Sequence, residues 1–162
     1  METISVRMDK ELFDAAAIEG KAEYRSAAQQ INFWAKVGRN ALANPDLPIE
    51  FVKDILVAKE QQREPFVFED WAMEIFQSLE FRKAYKKLHG NVKQIVNDEI
   101  RKVIANPLIG TEKKQDLRGV YVHKFKIKTQ QYLLAYTFDP KTMTLLMLGV
   151  HENFYRDLKK RI

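Results

Sequence analysis

The sequence EPFVFEDWAM, residues 64–73, marks the point at which the chain divides into two halves of opposite charge. Residues 1–72 contain 9 Lys or Arg and 13 Asp or Glu, whereas residues 73–162 contain 18 and 9. The first half therefore has a formal net charge of −4 and the second of +9, within the +5 of the whole chain. This asymmetry indicates a basic domain that meets nucleic acid or an acidic partner, and an acidic segment that can be that partner.

The linker between the halves carries an apolar run, Phe66-Val67-Phe68, directly after Pro65. Proline cannot continue a helix, so the run is expected to be extended. Because three apolar residues cannot fold alone, we predict that residues 64–72 add as a strand or plug to the basic domain. The carboxylates expected to meet the lysines of that domain are Glu64, Glu69 and Asp70.

Composition excludes several classes of protein and site. The chain of 162 residues has no cysteine, so disulfide bonds and thiolate metal sites are impossible. Its apolar runs are far shorter than the roughly 18 residues of a membrane span, and its start lacks a secretion signal, so we expect a cytoplasmic protein. We find no phosphate-binding loop or dinucleotide fingerprint, and Glu152 and Asp157 are too few and too close to cations for a metal site. No cofactor is expected.

Residues 3–8 alternate between apolar and polar side chains, which is the pattern of a strand with one polar face. A strand of this length needs a neighbour, and the simplest neighbour is the same strand of a second chain. We therefore expect at least a homodimer. The apolar face is formed by Ile4, Val6 and Met8, and the polar face by Thr3, Ser5 and Arg7.

Three helices are predicted to follow this strand. Asp9 caps the first, which ends at Gly20, and Ser26 with Gln29 forms a capping box at the start of the second. The third begins after Pro48 and either covers the basic domain or completes the core of the acidic half. The buried stripe expected in the first helix is Leu12, Phe13, Ala16 and Ala17. One face of the second helix holds Ile31, Trp34, Ala35, Gly38 and Leu42, and the apolar positions of the third are Phe51, Ile55, Leu56 and Val57.

The strand followed by two helices, and the phrase RSAAQQINFWA at residues 25–35, resemble the ribbon-helix-helix DNA-binding fold and in particular ParD-like antitoxins. The resemblance implies that two paired strands enter the major groove of operator DNA, where Thr3, Ser5 and Arg7 read base edges. It also implies that Arg25 and Ser26, at the start of the second helix, bind a phosphate. The alternative is a solvated strand face, which the acidic charge of this half favours.

The basic half is predicted to be an α+β domain with one mixed, mostly antiparallel sheet and its helices on one side. Its first helix is closed by Gly90, and Asn91 caps the next helix, which ends at Pro107. Turn signals place two hairpins between the last three strands. The predicted elements are strand 73–79, helix 81–88, the helix that Asn91 caps, strands 120–128, 132–138 and 143–151, and a last helix at about 153–160.

One face of that sheet carries residues suited to chemistry. Lys124, Lys126 and Lys128 point to this face, and His151 and Tyr155 share it at the end of the last strand. Such a face suits cleavage of RNA without a metal, because His or Lys can move the 2′-hydroxyl proton and cations stabilise the phosphorane. The core face is formed by His123, Phe125 and Ile127, and an apolar floor between the charges by Leu133 and Ala135.

The segments that carry a second resemblance are Leu117-Arg118-Gly119, Lys124-Phe125-Lys126, Tyr132 to Tyr136 and Gly149 to Leu158. They resemble the RelE/ParE toxin superfamily, over nearly all of residues 73–162. In RelE-type members the matching positions form a site that cuts messenger RNA in the ribosomal A site. The catalytic residues that this resemblance implies are Arg118, Lys124, Lys126, His151 and Tyr155.

The chain departs from the RelE pattern at Leu133, where RelE itself has an arginine after the tyrosine of the middle strand, so one phosphate contact is missing. Some ribosome-dependent relatives have a histidine at the position of His151, where it can act as acid or base. The ParE branch of the same fold inhibits DNA gyrase and has no nuclease site, which makes gyrase inhibition the rival hypothesis. Structural alternatives are that the lysines guard a sheet edge, that His123 is a core residue and that His89 lies inert in a turn.

The two resemblances together predict a type II toxin–antitoxin pair on one polypeptide. Residues 1–63 form the antitoxin, residues 64–72 the linker in which Phe66-Val67-Phe68 neutralises the toxin, and residues 73–162 the toxin. The expected partners are operator DNA for the antitoxin, and the ribosome with messenger RNA, or gyrase, for the toxin. Antitoxin and toxin meet within one chain or between chains, and tethering favours the contact. A third possibility is a repressor joined to an inactive toxin remnant.

Overall fold

The computed structural model describes residues 2–68 and 72–151. Its helices are α1 (Lys10–Ala22), α2 (Ala27–Ala43), α3 (Ile49–Glu60), α4 (Leu79–Lys86) and α5 (Gly90–Ala105), and its strands are β1 (Glu64–Pro65), β2 (Glu74–Gln77), β3 (Thr111–Glu112), β4 (Tyr121–Ile127), β5 (Gln130–Phe138) and β6 (Thr142–Val150). The chain forms two compact units, which divide between Arg39 and Asn40 inside α2. Among the described residues, no helix is both long and apolar enough to cross a membrane.

The N-terminal unit begins with an unpaired segment. In this single chain, residues 3–8 have no strand neighbour among the described residues and are not assigned as a strand. Ile4 is 86% exposed and Val6 is 68% exposed. A strand is defined by hydrogen bonds to a neighbour, and the neighbour predicted for this segment is a second copy of the chain. The pairing of residues 3–8 therefore stays a prediction.

Helix α1 starts where the sequence predicts but ends later. The Asp9 side chain accepts hydrogen bonds from the backbone N–H groups of Glu11 and Leu12, at 2.8 and 3.3 Å, which confirms the N-cap. The prediction that Gly20 ends the helix is wrong, because α1 continues to Ala22. A Cβ atom at Gly20 would lie 2.8 Å from the carbonyl oxygen of Arg25, so this glycine permits a close approach of the following turn.

The predicted buried stripe of α1 is largely wrong for the single chain. Leu12 and Phe13 remain about half exposed, and Ala17 is exposed. The buried residues are Ala16 and Gly20. These two are four positions apart and share one side of the helix, where the small side chains allow the close approach made at Gly20.

Helix α2 begins with the predicted capping box. The backbone N–H of Ser26 donates to Oε1 of Gln29 at 2.8 Å, and the N–H of Gln29 donates to Oγ of Ser26 at 3.2 Å. On the apolar face predicted for α2, Ile31, Trp34 and Gly38 are partly buried, whereas Ala35 and Leu42 are exposed. The residues of α2 that are buried are Gln30, Val37 and Asn40. Two of these are polar and each makes a side-chain hydrogen bond, so apolar periodicity could not reveal them.

The second unit is built on one mixed sheet of six strands in the order β1-β2-β6-β5-β4-β3. Strands β2 and β6 are parallel, and the other neighbouring strands are antiparallel. The predicted α+β class is confirmed. The hairpin between β4 and β5 is tighter than predicted, because Lys128 adopts a positive φ of 56° and β5 already begins at Gln130. Strand β3 and the 3-10 turns Pro107–Ile109 and Gln115–Leu117 were not predicted.

Helices α4 and α5 lie on one face of this sheet, as expected for the basic half, and share one core with it. The Ser78 side chain caps α4 by accepting from the N–H of Phe81 at 3.0 Å. The prediction of Asn91 as the cap of α5 is wrong: the N-cap residue is His89, and Gly90 is the first residue of the helix. The predicted last helix at 153–160 lies outside the described residues.

Helix α3 covers the opposite face of the sheet, which the sequence predicted to be an uncovered basic face. Leu133 and Ala135, the predicted apolar floor, are both fully buried. Leu133 is the register partner of Gly149, and a Cβ atom at Gly149 would lie 2.9 Å from Cδ2 of Phe51 in α3. Of the two alternatives for the third helix, the structure therefore supports the one in which it covers the basic domain.

Candidate functional site

The linker adds an edge strand to the sheet. Its strand β1 pairs with β2, and the N–H of Phe66 donates to the carbonyl of Ile75 at 2.8 Å. The Phe66 ring is buried against the rings of Phe81 and Tyr85, with centroids 5.7 and 5.5 Å away. An extended segment at a sheet edge gains both backbone hydrogen bonds and side-chain burial.

The three linker residues predicted to neutralise the toxin differ in their burial. Phe66 is in the core, Phe68 stacks on it with centroids 5.6 Å apart, and Val67 is 96% exposed. Alternation along an extended chain explains why Val67 points away from its neighbours. Glu64 forms an ion pair with Arg82, an arginine rather than one of the expected lysines, while Glu69 and Asp70 lie outside the described residues.

The predicted catalytic residues are placed at different depths. Lys124 is about one-third exposed, whereas Lys126 and Arg118 are exposed, the latter directly after the 3-10 turn Gln115–Leu117. The backbone N–H of His151 extends the pairing of β6 with β5 by donating to the carbonyl of Gln131 at 2.9 Å. Tyr155 lies outside the described residues. Two of these candidates, Lys124 and His151, make side-chain contacts with the same residue.

Lys124 and His151 both contact Asp46, a residue that the sequence did not single out. The Oδ2 atom of Asp46 accepts a hydrogen bond from Nζ of Lys124 at 2.8 Å. The carbonyl oxygen of Asp46 lies 3.2 Å from Nε2 of His151. A carbonyl can only accept, so this contact requires the hydrogen on Nε2. Asp46 therefore joins the two candidate catalytic side chains through its carboxylate and its backbone.

A third cation, Lys113, completes this cluster. Its Nζ donates to the same Oδ2 of Asp46 at 2.7 Å, and its side chain is only 2% exposed. Lys113 follows strand β3, and its backbone N–H donates to the carbonyl of Val120 at 2.8 Å. A buried ammonium group is rarely found without a counter-charge. We call Asp46, Lys113, Lys124 and His151 the Asp46 cluster.

The lysines determine the ionisation of Asp46. Partial burial alone would raise the pKa of its carboxyl, but the hydrogen bonds and charges of Lys113 and Lys124 outweigh burial and lower the pKa to about 2. The Asp46 carboxylate is therefore ionised at neutral pH. Its negative charge offsets the positive charge of the two ammonium groups.

The loop that carries Asp46 is tied to the chain around Lys114. The Asn44 side chain accepts from the N–H of Lys114 at 2.9 Å and donates to the Lys114 carbonyl at 3.3 Å. Asn40 donates to Oδ2 of Asp116 at 2.7 Å, and Lys59 donates to the Asp116 carbonyl at 2.6 Å. Side-chain hydrogen bonds to backbone groups hold the loop in register. Asp46 is thus positioned by contacts on both sides of it in the sequence.

The remaining candidates divide between core and surface. His123 is buried and contacts Oε2 of Glu99 in α5 at 2.7 Å, in agreement with the core interpretation. Burial raises the pKa of Glu99, but hydrogen bonds from Lys102 and His123 outweigh it and lower the pKa overall. Strand β3 pairs with the start of β4, so among the described residues the part of β4 that holds Lys126 has a strand neighbour on one side, β5. The edge-guarding alternative therefore remains open for Lys126.

The predicted DNA-binding residues lie in the N-terminal unit. Thr3, Ser5 and Arg7 are all exposed. The Arg25 guanidinium pairs with Glu23, donates to Oε1 of Gln30 at 3.1 Å and lies over the Phe33 ring, 4.0 Å from its centroid. The Ser26 hydroxyl accepts from Gln29 in the capping box. Arg25 and Ser26 thus already have contacts within the chain.

Family models match both halves of the chain. Residues 75–159 match the ParE-like toxin of type II bacterial toxin–antitoxin systems. Residues 3–73 match the ParD-like antitoxin of the same kind of system. The chain belongs to the ParE-like toxin family, and a ParD-like antitoxin segment is fused before the toxin. The predicted antitoxin and toxin on one polypeptide are thereby confirmed as family matches. The antitoxin part of the fusion contains α3 and the Asp46 loop.

Solved structures similar to the fusion come from Escherichia coli. The free RelE toxin, as a double arginine-to-alanine mutant, is 24% identical, with a TM-score of 0.41, and covers 57% of this chain and 99% of its own. The isolated RelE toxin is 23% identical, with a TM-score of 0.40, covering 54% and 95%. The intact RelBE toxin–antitoxin complex is 22% identical, with a TM-score of 0.39, covering 46% and 92%. No curated protein matches the fusion.

Proposed function

We propose that the toxin half is a metal-independent endoribonuclease that cuts messenger RNA on the ribosome, and that the antitoxin half silences it in the same chain. The observation that carries this proposal is the Asp46 cluster, in which two lysines and a histidine of the toxin half converge on one carboxylate-bearing residue of the antitoxin half. Ammonium groups and an imidazole at one point are the side chains that phosphodiester cleavage needs.

The chemistry assigned to these groups is a transfer of the phosphodiester within the RNA. The 2′-oxygen attacks the adjacent phosphorus, the bond from phosphorus to the 5′-oxygen breaks, and a cyclic phosphate and a free 5′-hydroxyl result. His151 takes or returns the moving proton, and Lys124 and Lys126 stabilise the charge of the phosphorane. From the resemblance, Arg118 contacts phosphate and Tyr155 stacks on a base or orients the phosphate.

Silencing in this proposal has two parts. Helix α3 covers the sheet face that holds Leu133 and Ala135, and Asp46 occupies the ammonium groups beside it. The linker contributes the edge strand and the buried Phe66 ring. Because inhibitor and toxin are one chain, their effective concentration is high and the toxin half is quiet by default.

A second candidate is inhibition of DNA gyrase. Two observations favour it: the matching family model is described as ParE-like, and a fully buried leucine, Leu133, stands where the RelE pattern has an arginine. In this case the cluster would serve the fold rather than catalysis. The third possibility, a repressor with an inactive toxin remnant, requires that neither activity is found.

The deciding experiment is expression of residues 73–162 without the first 72, beside the full chain and a His151→Ala version of the short form. The proposal expects growth arrest from the short form only, messenger RNA cut at the ribosomal A site in toeprinting, and loss of cutting with His151→Ala. Intact messenger RNA together with a DNA-damage response would establish gyrase inhibition instead. Growth without either signature, with operator binding by the full chain, would leave the repressor.

We also propose that the antitoxin half binds operator DNA as a dimer whose residues 3–8 pair with their copy. The exposed apolar side chains of Ile4 and Val6 support this pairing, because they would be covered by the second strand. Thr3, Ser5 and Arg7 then face the groove, and Arg25 and Ser26 face a phosphate.

A further inference from the structure

Lys113 is the least exposed cation of the Asp46 cluster, and no sequence motif pointed to it. Its side chain is 2% exposed, yet its ammonium group reaches Asp46, whose side chain is 42% exposed. The cluster therefore has a deep member, Lys113, and an opening to solvent at Asp46. An anion placed where the Asp46 carboxylate lies would contact Lys113 from the open side.

Lys113 and Lys124 donate hydrogen bonds to the same atom. Their Nζ atoms donate to the same oxygen, Oδ2 of Asp46, at 2.7 and 2.8 Å. Two ammonium groups held this close repel one another unless an anion lies between them. A carboxylate oxygen and a phosphate oxygen are equivalent acceptors for such donors, and both give short charge-assisted hydrogen bonds.

Lys113 also supplies a positive charge near the place where Leu133 replaces the arginine of the RelE pattern. Leu133 is the register partner of Lys124 on β5, and it supplies no charge. Lys113 reaches the same Asp46 oxygen as Lys124 from the β3 side of β4, because it follows β3 and its backbone pairs with Val120 just before β4. The second cation beside Lys124 is therefore present, but it comes from a different strand connection than the RelE pattern indicates.

We infer that Lys113 and Lys124 form a binding site for a phosphodiester group of the nucleic-acid substrate, and that Asp46 occupies this site as an internal substitute for the phosphate. This inference rests on the proposed function, since it names the substrate contact and the silencing contact of the same site. The carbonyl of Asp46 at the same time occupies Nε2 of His151. Release of the toxin half therefore requires withdrawal of one residue from all three side chains.

The test uses the full chain with Asp46→Asn, which keeps the size of the side chain and removes its charge. The probes are inorganic phosphate and a short single-stranded DNA, which lacks the 2′-hydroxyl and cannot be cut by the proposed chemistry. Thermal unfolding and a binding titration are the readouts. We expect the wild type to show no saturable response and Asp46→Asn to gain saturable stabilisation by both probes.

Two further variants make the result specific. Glu50→Gln removes the same charge from an exposed residue that pairs only loosely with Lys53, at 4.0 Å, and we expect it to behave as the wild type. The double variant Asp46→Asn with Lys113→Met is expected to bind phosphate about tenfold more weakly than Asp46→Asn, because one charge-assisted contact is lost.

Each outcome decides the inference. If Asp46→Asn folds but binds neither probe, or if the double variant binds equally well, the inference is overturned. If Asp46→Asn folds only when phosphate is added, the site is supported, whereas a variant that stays unfolded at saturating phosphate overturns it. Failure of the proposed function looks different: phosphate binding through Lys113 without any RNA cleavage rejects the nuclease. Cleavage by the Asp46→Asn chain that persists when Lys113→Met is added rejects the site.

Discussion

Residues 3–39 and residues 40–68 belong to the same antitoxin family match, yet the large apolar side chains of residues 4–18 are exposed whereas most of those in α3 are buried. In the first region Ile4 and Ile18 are 86% and 74% exposed. In the second, Val52 and Ile55 of α3 are fully buried. The second region buries its apolar face within the compact unit that contains the toxin sheet, whereas the partner predicted for the first is a second copy of the chain.

The boundary between the family matches and the boundary between the compact units lie at different positions in the chain. The family matches change between residues 73 and 75, but the compact units divide between Arg39 and Asn40. The part of the antitoxin from Asn40 onward therefore folds as part of the toxin unit. In the proposed function, residues 40–68 silence the toxin half, and residues 3–39 pair with a second chain and bind DNA.

The largest expected effect comes from removing a buried side chain of α3. Ile55→Ala should lower the free energy of unfolding by about 2–5 kcal/mol, because the residue is fully buried and its removal leaves a cavity. The same substitution at Ile18, 74% exposed, should change it by no more than about 0.5 kcal/mol. Chemical denaturation of the two variants measures the difference, and equal losses would remove the contrast between the regions.

The next effect concerns the contact between α3 and β6. Gly149→Ala should destabilise by about 1–3 kcal/mol, since its Cβ would lie 2.9 Å from the Phe51 ring. Gly38→Ala is the matched control, because no described atom beyond its chain neighbours and the nearby helix backbone lies within 4 Å of its Cβ position, and alanine favours helix α2 by about 0.5–1 kcal/mol. Opposite signs in thermal unfolding are expected. A stabilised Gly149→Ala would mean that α3 does not press on the sheet.

A DNA-binding effect should arise only in the first region. Arg7→Ala should weaken specific operator binding by about 1–3 kcal/mol, because a base contact in the major groove is lost. Lys21→Ala changes charge equally at an exposed position near the end of α1 and should have a much smaller effect. Binding titrations of the full chain at one salt concentration provide the measurement. Equal losses from the two variants would point to general charge attraction rather than base reading.

The smallest effect is a pH dependence in the second region. The pKa of Asp46 is lowered from 3.8 to about 2 in the folded chain, so its stabilising contribution is complete above pH about 4 and is lost as pH falls towards 2. The stability difference between the wild type and Asp46→Asn should therefore be constant above pH 5 and shrink below pH 4. Acid unfolding curves of both proteins test this, with Glu50→Gln expected to follow the wild type over the same range. A stability difference that stays unchanged down to pH 2 would show that Lys113 and Lys124 do not pair with the Asp46 carboxylate when the protein is in solution.

Local signals predicted much of the fold because their physics is local. The Asp9 cap, the Ser26 and Gln29 capping box and the alternation in β4 each depend on residues at most a few positions apart. The same signals failed where neighbours from elsewhere in the chain intervene. Gly20 suggested a helix end, but it provides space for the turn at Arg25, and the buried face of α2 is partly polar.

The sequence by itself determined that two halves of opposite charge are joined and which families they resemble, and it predicted the lysines and the histidine of one sheet face. Only the tertiary structure decided that α3 covers that face and that Asp46 meets Lys113 and Lys124. These contacts join residues 67 and 78 positions apart. No periodicity or spacing encodes such a pairing, because its free energy depends on the burial and distance of charges that only the folded chain brings together.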